Sequence, residues 1–224
     1  PTLMNDYSGT VIADGKLYAF GGGHGGGTDN TVARYDLTAG TGWEVFCQPT
    51  PIAQRVFAVT GDTDLSKFWW GDPGNLKPNP PHTYSSAQWV PSLNKIIWFG
   101  QRGPYHYSGN IGPNRLLQLK LASATWTQPF DADDVQLPPF GLATVQLPDG
   151  KILGSSSGST IFQFDPAQPV GSQFSTWTNN GVLNWNGYGQ YLLDAVRNRI
   201  VRVGNGYGTA MYVTIDLATK AVTD

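Results

Sequence analysis

YSGTVIADGKLYAFGGG, Tyr7 to Gly23, decides the fold of this chain. Two short apolar-rich runs, TVIA and KLYAF, flank an Asp14-Gly15 pair, and the second run ends in three glycines. Alternation on both sides of Asp-Gly is the pattern of two antiparallel strands joined by a tight turn. The stretch reads as a β-hairpin. It recurs as TYSSAQWVPSLNKIIWFGQ from Thr83, FGLATVQLPDGKILGSS from Phe140 and GYGQYLLDAVRNRIVRVGN from Gly187. Each copy gives a strand, a turn with Asp-Gly or Asn, a basic residue (Lys16, Lys95, Lys151, Arg199) and a second strand.

The segments downstream also match one another. VARYDLTAGTGWEVF, LLQLKLASATWTQPF, FQFDPAQPVGSQFSTW and MYVTIDLATKAVTD each supply a third strand, a polar turn and a fourth strand, opened in three cases by Trp43, Trp126 or Trp177. Four strands per repeat is a propeller blade. The sequence therefore predicts an all-β chain with at least four four-stranded blades, near 7–50, 83–130, 140–180 and 187–224, and an insertion at 51–82. Residues 1–224 form one propeller domain or propeller segment, part of a larger or incomplete ring. Within the insertion, VFAVTGDTDLSKFWWG, Val56 to Gly71, reads as a further hairpin.

A strand ending in a glycine doublet, then Tyr35 in ARYDL and Trp43 at the head of the last strand, resembles the kelch repeat of β-propellers. The likeness is best in the first repeat and weakest in the third, where Ser155 to Ser157 replace the glycines. It implies a kelch-like propeller in which glycines 21 to 23 sit where crowding and positive φ favour Gly, and Trp43, Trp126 and Trp177 pack as blade core. Propellers host binding proteins, oxidases, lyases and scaffolds alike, so the likeness does not supply a function.

Composition narrows the choice. The 224 residues are 13% charged with a formal net charge of -2, so the surface is covered largely by amides, hydroxyls, glycine and aromatics. No basic block is present to neutralise phosphates, which speaks against nucleic acid. No apolar run is long enough for a membrane helix. The single cysteine, Cys47, excludes an intrachain disulfide. With Pro1 where an initiator Met would stand, the chain reads as a processed product or a segment of something longer.

The candidate site follows from blade topology. Loops joining strands two and three of a blade share a rim with the connection leaving strand four. GGGHGGGTDN, GQRGPYHYSGNIGPN and the stretch from Cys47 to His82 all fall there. That rim gathers His24, His82, His106, Tyr84, Tyr105, Tyr107 and Arg102, with Trp69 and Trp70 alongside. Being adjacent in a strand, Trp69 and Trp70 should face opposite ways, one into the core and one to solvent. A phosphate loop would need a helix after the glycines, and TVARYDL is a strand.

No metal or cofactor is expected, since the three histidines have no chelating spacing. The leading reading is a non-enzymatic recognition or structural module for a glycan or protein surface, on a secreted protein or a phage particle, within a larger chain or assembly. Aromatic faces stack on sugars while amides and hydroxyls meet their hydroxyl groups. The alternative is a secreted carbohydrate-active enzyme. A polysaccharide lyase would use His24, His82, Tyr105 and Arg102 as base, acid and carboxylate clamp. A copper oxidase resembling galactose oxidase would use the Tyr105-His106 dipeptide, with Cys47 as crosslink partner. Asp131 to Asp134 read as a solvated loop between blades.

Overall fold

The computed structural model describes residues 8–22, 29–55, 69–80, 83, 85–101, 115–128, 143–155, 160–178, 189–206 and 209–223. The first blade is β1 (Ser8–Ala13), β2 (Lys16–Gly21), β3 (Val32–Asp36) and β4 (Trp43–Cys47). A two-stranded hairpin follows, β5 (Trp69–Trp70) and β6 (Lys77–Pro78). The second blade is β7 (Ala87–Val90), β8 (Lys95–Gln101), β9 (Arg115–Lys120) and β10 (Thr125–Trp126). The third is β11 (Ala143–Gln146), β12 (Ile152–Ser155), β13 (Thr160–Phe164) and β14 (Phe174–Thr178). The fourth is β15 (Gly189–Asp194), β16 (Arg199–Gly206), β17 (Thr209–Asp216) and β18 (Val222–Thr223). Each blade is an antiparallel sheet with its strands in sequence order. Among the described residues, helix is confined to two 3-10 turns, Ile52–Gln54 and Pro91–Leu93.

Turn chemistry sets the register of all four blades. The residue just before each basic residue is left-handed: Gly15 (φ 71°), Asn94 (51°), Gly150 (85°) and Asn198 (50°). Only Gly and Asn accept that backbone readily, which is why the repeat carries Asp-Gly or Asn there. In the first blade Asp14 is also left-handed, at φ 47°, so β1 and β2 meet in a type I′ turn matched to strand twist.

A second turn closes strands three and four. The Asp36 carboxylate accepts the backbone N–H of Thr38 at 2.9 Å and of Ala39 at 2.8 Å. Asp216 accepts those of Ala218 at 3.0 Å and Thr219 at 2.7 Å. These N–H groups favour the charged form and hold both carboxyls below the usual range. A carboxyl depressed in the folded state stabilises it above the ordinary carboxylate range near pH 4, and that contribution disappears as pH falls through the folded value. The double variant Asp36→Asn, Asp216→Asn cannot titrate there. Melting temperature measured against pH is expected to show the gap between wild type and variant closing toward acid pH; a constant gap would exclude this linkage.

Two compact units contain these blades, Pro1–Pro138 and Pro139–Asp224. Within each, the packing rule is the same. Here the front of a blade is the face holding the residue just after the basic residue, and the back is the other face. In the first unit, Tyr18 and Phe20 on the back of blade 1 share a core with Ile96, Trp98, Leu119 and Trp126 on the front of blade 2. The Phe20 ring lies 5.2 Å from Trp98 and 4.8 Å from Trp126, and the two indoles are 5.3 Å apart. In the second unit, Val145, Leu153 and Ile161 on the back of blade 3 pack with Tyr191, Ile200 and Val213 on the front of blade 4. Back meets front in both.

Two expectations about tryptophan need correction. Trp43 occupies in blade 1 the register that Trp126 occupies in blade 2, opposite Tyr35 and Leu119 respectively. Yet Trp126 is 2% exposed and Trp43 is 36% exposed. Both lie on front faces, and only that of blade 2 is covered by another blade within its unit. Trp69 and Trp70 do not divide between core and solvent, because both are buried. Trp69 enters the interblade core, and the hairpin carrying the pair is packed on both sides. The Trp177 side chain lies outside the described residues, as do residues 56–68 of the anticipated hairpin.

Candidate functional site

The stems of the rim loops are described even where their tips are not. β2 ends at Gly21, and Gly21 and the following Gly22 have φ of 104° and 94°, so the first two glycines of the run are required by backbone shape. The chain returns at Asp29, whose carboxylate accepts the N–H of Thr31 at 2.9 Å. At the same end of blade 1, the fully buried Thr83 accepts the N–H of Gly9 and donates to the Phe20 carbonyl at 2.7 Å. Thr83 leads into β7, so the lead-in to blade 2 is tied to this end of blade 1. His24, His82, Tyr84, Arg102, Tyr105, His106 and Tyr107 all lie outside the described residues, as does the Asp131 to Asp134 stretch.

Beneath this rim lies a buried polar pin. Asn30 donates its amide to Thr50 Oγ1 at 2.9 Å and to the Pro78 carbonyl at 3.1 Å, and its Oδ1 accepts the Thr50 N–H at 2.8 Å. One side chain thus joins the end of the glycine loop, the segment leaving β4 and the β5–β6 hairpin. The hairpin is held from blade 2 as well. Gln128 accepts the Leu76 N–H at 2.6 Å and donates to the Leu76 carbonyl at 3.1 Å. The β5–β6 hairpin is therefore fastened to both blades of the first unit.

Thr50 also lines a shallow cavity of about 120 Å³ together with Pro51, Gln54, Gly71, Asp72, Asn75 and Lys77. Its shape is held locally. Gln54 Nε2 donates to Asp72 Oδ1 at 3.2 Å, the Asn75 N–H to the Asp72 carbonyl at 3.0 Å, and Lys77 Nζ to the Gln48 carbonyl at 2.7 Å. A carboxylate, two amides, a hydroxyl and an ammonium here surround a space smaller than the roughly 300 Å³ of a drug-sized pocket. This donor and acceptor set can bracket the vicinal hydroxyls of one sugar ring. None of the five polar residues was singled out by the sequence, because they are scattered through the insertion and its flank without a motif; the Gly71 and Gly74 turn signals were the available hint.

Cys47 is buried in the interblade core, where its Sγ donates to the Ala124 carbonyl at 3.1 Å. Burial pushes its thiol up to about 12, far from the thiolate a reactive cysteine needs. Among the described residues, no group of three His, Cys, Asp or Glu side chains could hold a metal ion.

A family model for the kelch motif matches residues 5–41, which cover β1 to β3 and the turn that follows. No curated protein matches the chain. The kelch motif thus falls on the first blade, and the three further four-stranded sheets repeat its strand order, the pattern of a kelch-like β-propeller.

Proposed function

We propose that this protein is a non-enzymatic recognition module that binds glycans at the cavity lined by the segment after β4 and the β5–β6 hairpin. A kelch propeller fits a binding module of this kind. The observation that carries the glycan reading is the polar cavity of Thr50, Gln54, Asp72, Asn75 and Lys77, framed by residues that Asn30 and Gln128 hold in place. Pre-positioned polar groups lose little entropy on binding, which favours sugar hydroxyls over a flexible partner. The low charge of the chain suits an extracellular or virion-surface setting, and that setting is part of the proposal.

A glycan array probed with the intact protein tests the reading. Asp72→Ala is expected to weaken binding to any hit by roughly tenfold, the loss of one charge-assisted hydrogen bond at an open site. The melting temperature should change little, since Asp72 is exposed. No hit on the array, or hits indifferent to Asp72→Ala and Asn75→Ala, would remove the cavity from consideration. Release of unsaturated or oxidised sugar products from a hit would favour the enzymatic alternative.

A further inference from the structure

Beside the polar cavity of the first unit runs a short apolar segment. Pro51, Ile52 and Ala53 are successive and all exposed, with Ile52 at 82%. A lone exposed apolar side chain needs no explanation, whereas a run of them points to a contact. The run is held in shape. It forms the 3-10 turn Ile52–Gln54 with Pro51 as its cap, the Gln54 N–H donating to the Pro51 carbonyl at 2.9 Å and the Arg55 N–H to the Ile52 carbonyl at 3.1 Å. Pro51 and Gln54 line the cavity, while Ile52 between them does not. Ile52 therefore stands at the edge of the mouth, open to solvent.

The polar groups around the same space are an acceptor and several donors. Asp72 takes the Gln54 amide on Oδ1, and a carboxylate has further lone pairs for a ligand N–H or O–H. Lys77 Nζ spends one of its three N–H groups on the Gln48 carbonyl. Asn75 adds a side-chain amide. Common sugar substituents differ in how they meet this set. A hydroxyl donates and accepts but brings no apolar carbon. A uronate carboxylate would face Asp72 charge against charge, and a free ammonium would face Lys77 in the same way. An acetamido group carries an N–H donor, a carbonyl acceptor and a methyl on one short planar unit.

We propose that the cavity selects N-acetylated amino sugars, a proposal that rests on the glycan reading of this site. The acetamido N–H donates to the Asp72 carboxylate, its carbonyl accepts from Lys77 or Asn75, and its methyl covers Ile52 and Pro51.

Saturation-transfer NMR and titration of the full chain test this with methyl glycosides of N-acetylglucosamine and N-acetylgalactosamine against those of glucose, galactose, glucosamine and glucuronate. Covering one methyl group is worth roughly fourfold in affinity, and an amide bond to a carboxylate adds to it, so the N-acetylated sugars are expected to bind at least about tenfold tighter than the parent hexoses. Transfer should be strongest at the acetamido methyl. Ile52→Ser alters a side chain already in solvent, so its melting curve should match that of the wild type. It is expected to weaken the N-acetylated sugars by about fourfold and to leave the hexoses unchanged. Hexoses binding as tightly as their N-acetylated counterparts, or a preference untouched by Ile52→Ser, would overturn the proposal while leaving the glycan reading in place; binding of none of these sugars would overturn both.

Discussion

Replacing Trp126 with Ala is expected to destabilise the first unit by roughly 3 to 5 kcal/mol, the range for removing a large aromatic from a closed core. The indole is 2% exposed and touches the Phe20 and Trp98 rings, so its loss opens a void where the two blades meet. Trp43→Ala removes the same residue from the equivalent register of blade 1. It should cost about 1 kcal/mol or less, because the side chain already meets solvent. A third variant separates volume from polarity. Trp126 Nε1 is buried without a hydrogen-bond partner among the described residues, so Trp126→Phe gives up volume but also an unmet donor. It should cost well under half of what Trp126→Ala costs. Chemical denaturation of the three variants provides the measurement; equal effects for Trp126→Ala and Trp43→Ala would show that the blades do not pack back to front.

The blades were legible because their turns are local. Asp14-Gly15, Asn94, Gly150 and Asn198 each declare a left-handed residue, and each is followed by a basic residue that starts the second strand or, at Lys151, immediately precedes it. Which face of a blade is covered cannot be read in this way. Trp43 and Trp126 have the same local pattern, and their different burial depends on a neighbouring blade many residues away. Trp69 and Trp70 misled for a related reason: alternation assigns one of two adjacent strand residues to solvent only if the strand has a wet side, and this hairpin has none. The cavity and its polar pin were hidden because the partners of Asn30 are 20 and 48 residues distant and belong to no motif.

Asn30→Leu is expected to be among the most damaging single substitutions at the rim. The replacement has similar size, so its effect isolates the hydrogen bonds. It leaves the Thr50 N–H and the Pro78 carbonyl without the partner that Asn30 now supplies, at a fully buried position. Each orphaned buried group costs about 1 to 3 kcal/mol, which gives a loss of roughly 2 to 6 kcal/mol in the first unit. The same change should loosen the cavity, since Thr50 lines it directly and Pro78 follows Lys77, which lines it as well. Binding to any glycan hit should therefore fall further than in Asp72→Ala, which removes the Gln54 contact but leaves the Asn30 bonds in place. Asn30→Asp separates the two halves of the pin. Its carboxylate still accepts the Thr50 N–H but cannot donate to Pro78, and burying the charge adds a penalty that protonation relieves. Its stability relative to wild type should improve as pH falls toward the carboxylate range. Denaturation of both variants at neutral and acid pH, with glycan affinity measured alongside, is the decisive experiment. If Asn30→Leu unfolds within about 0.5 kcal/mol of wild type, as an ordinary surface change would, the insertion is not fastened by this side chain and the cavity loses its frame.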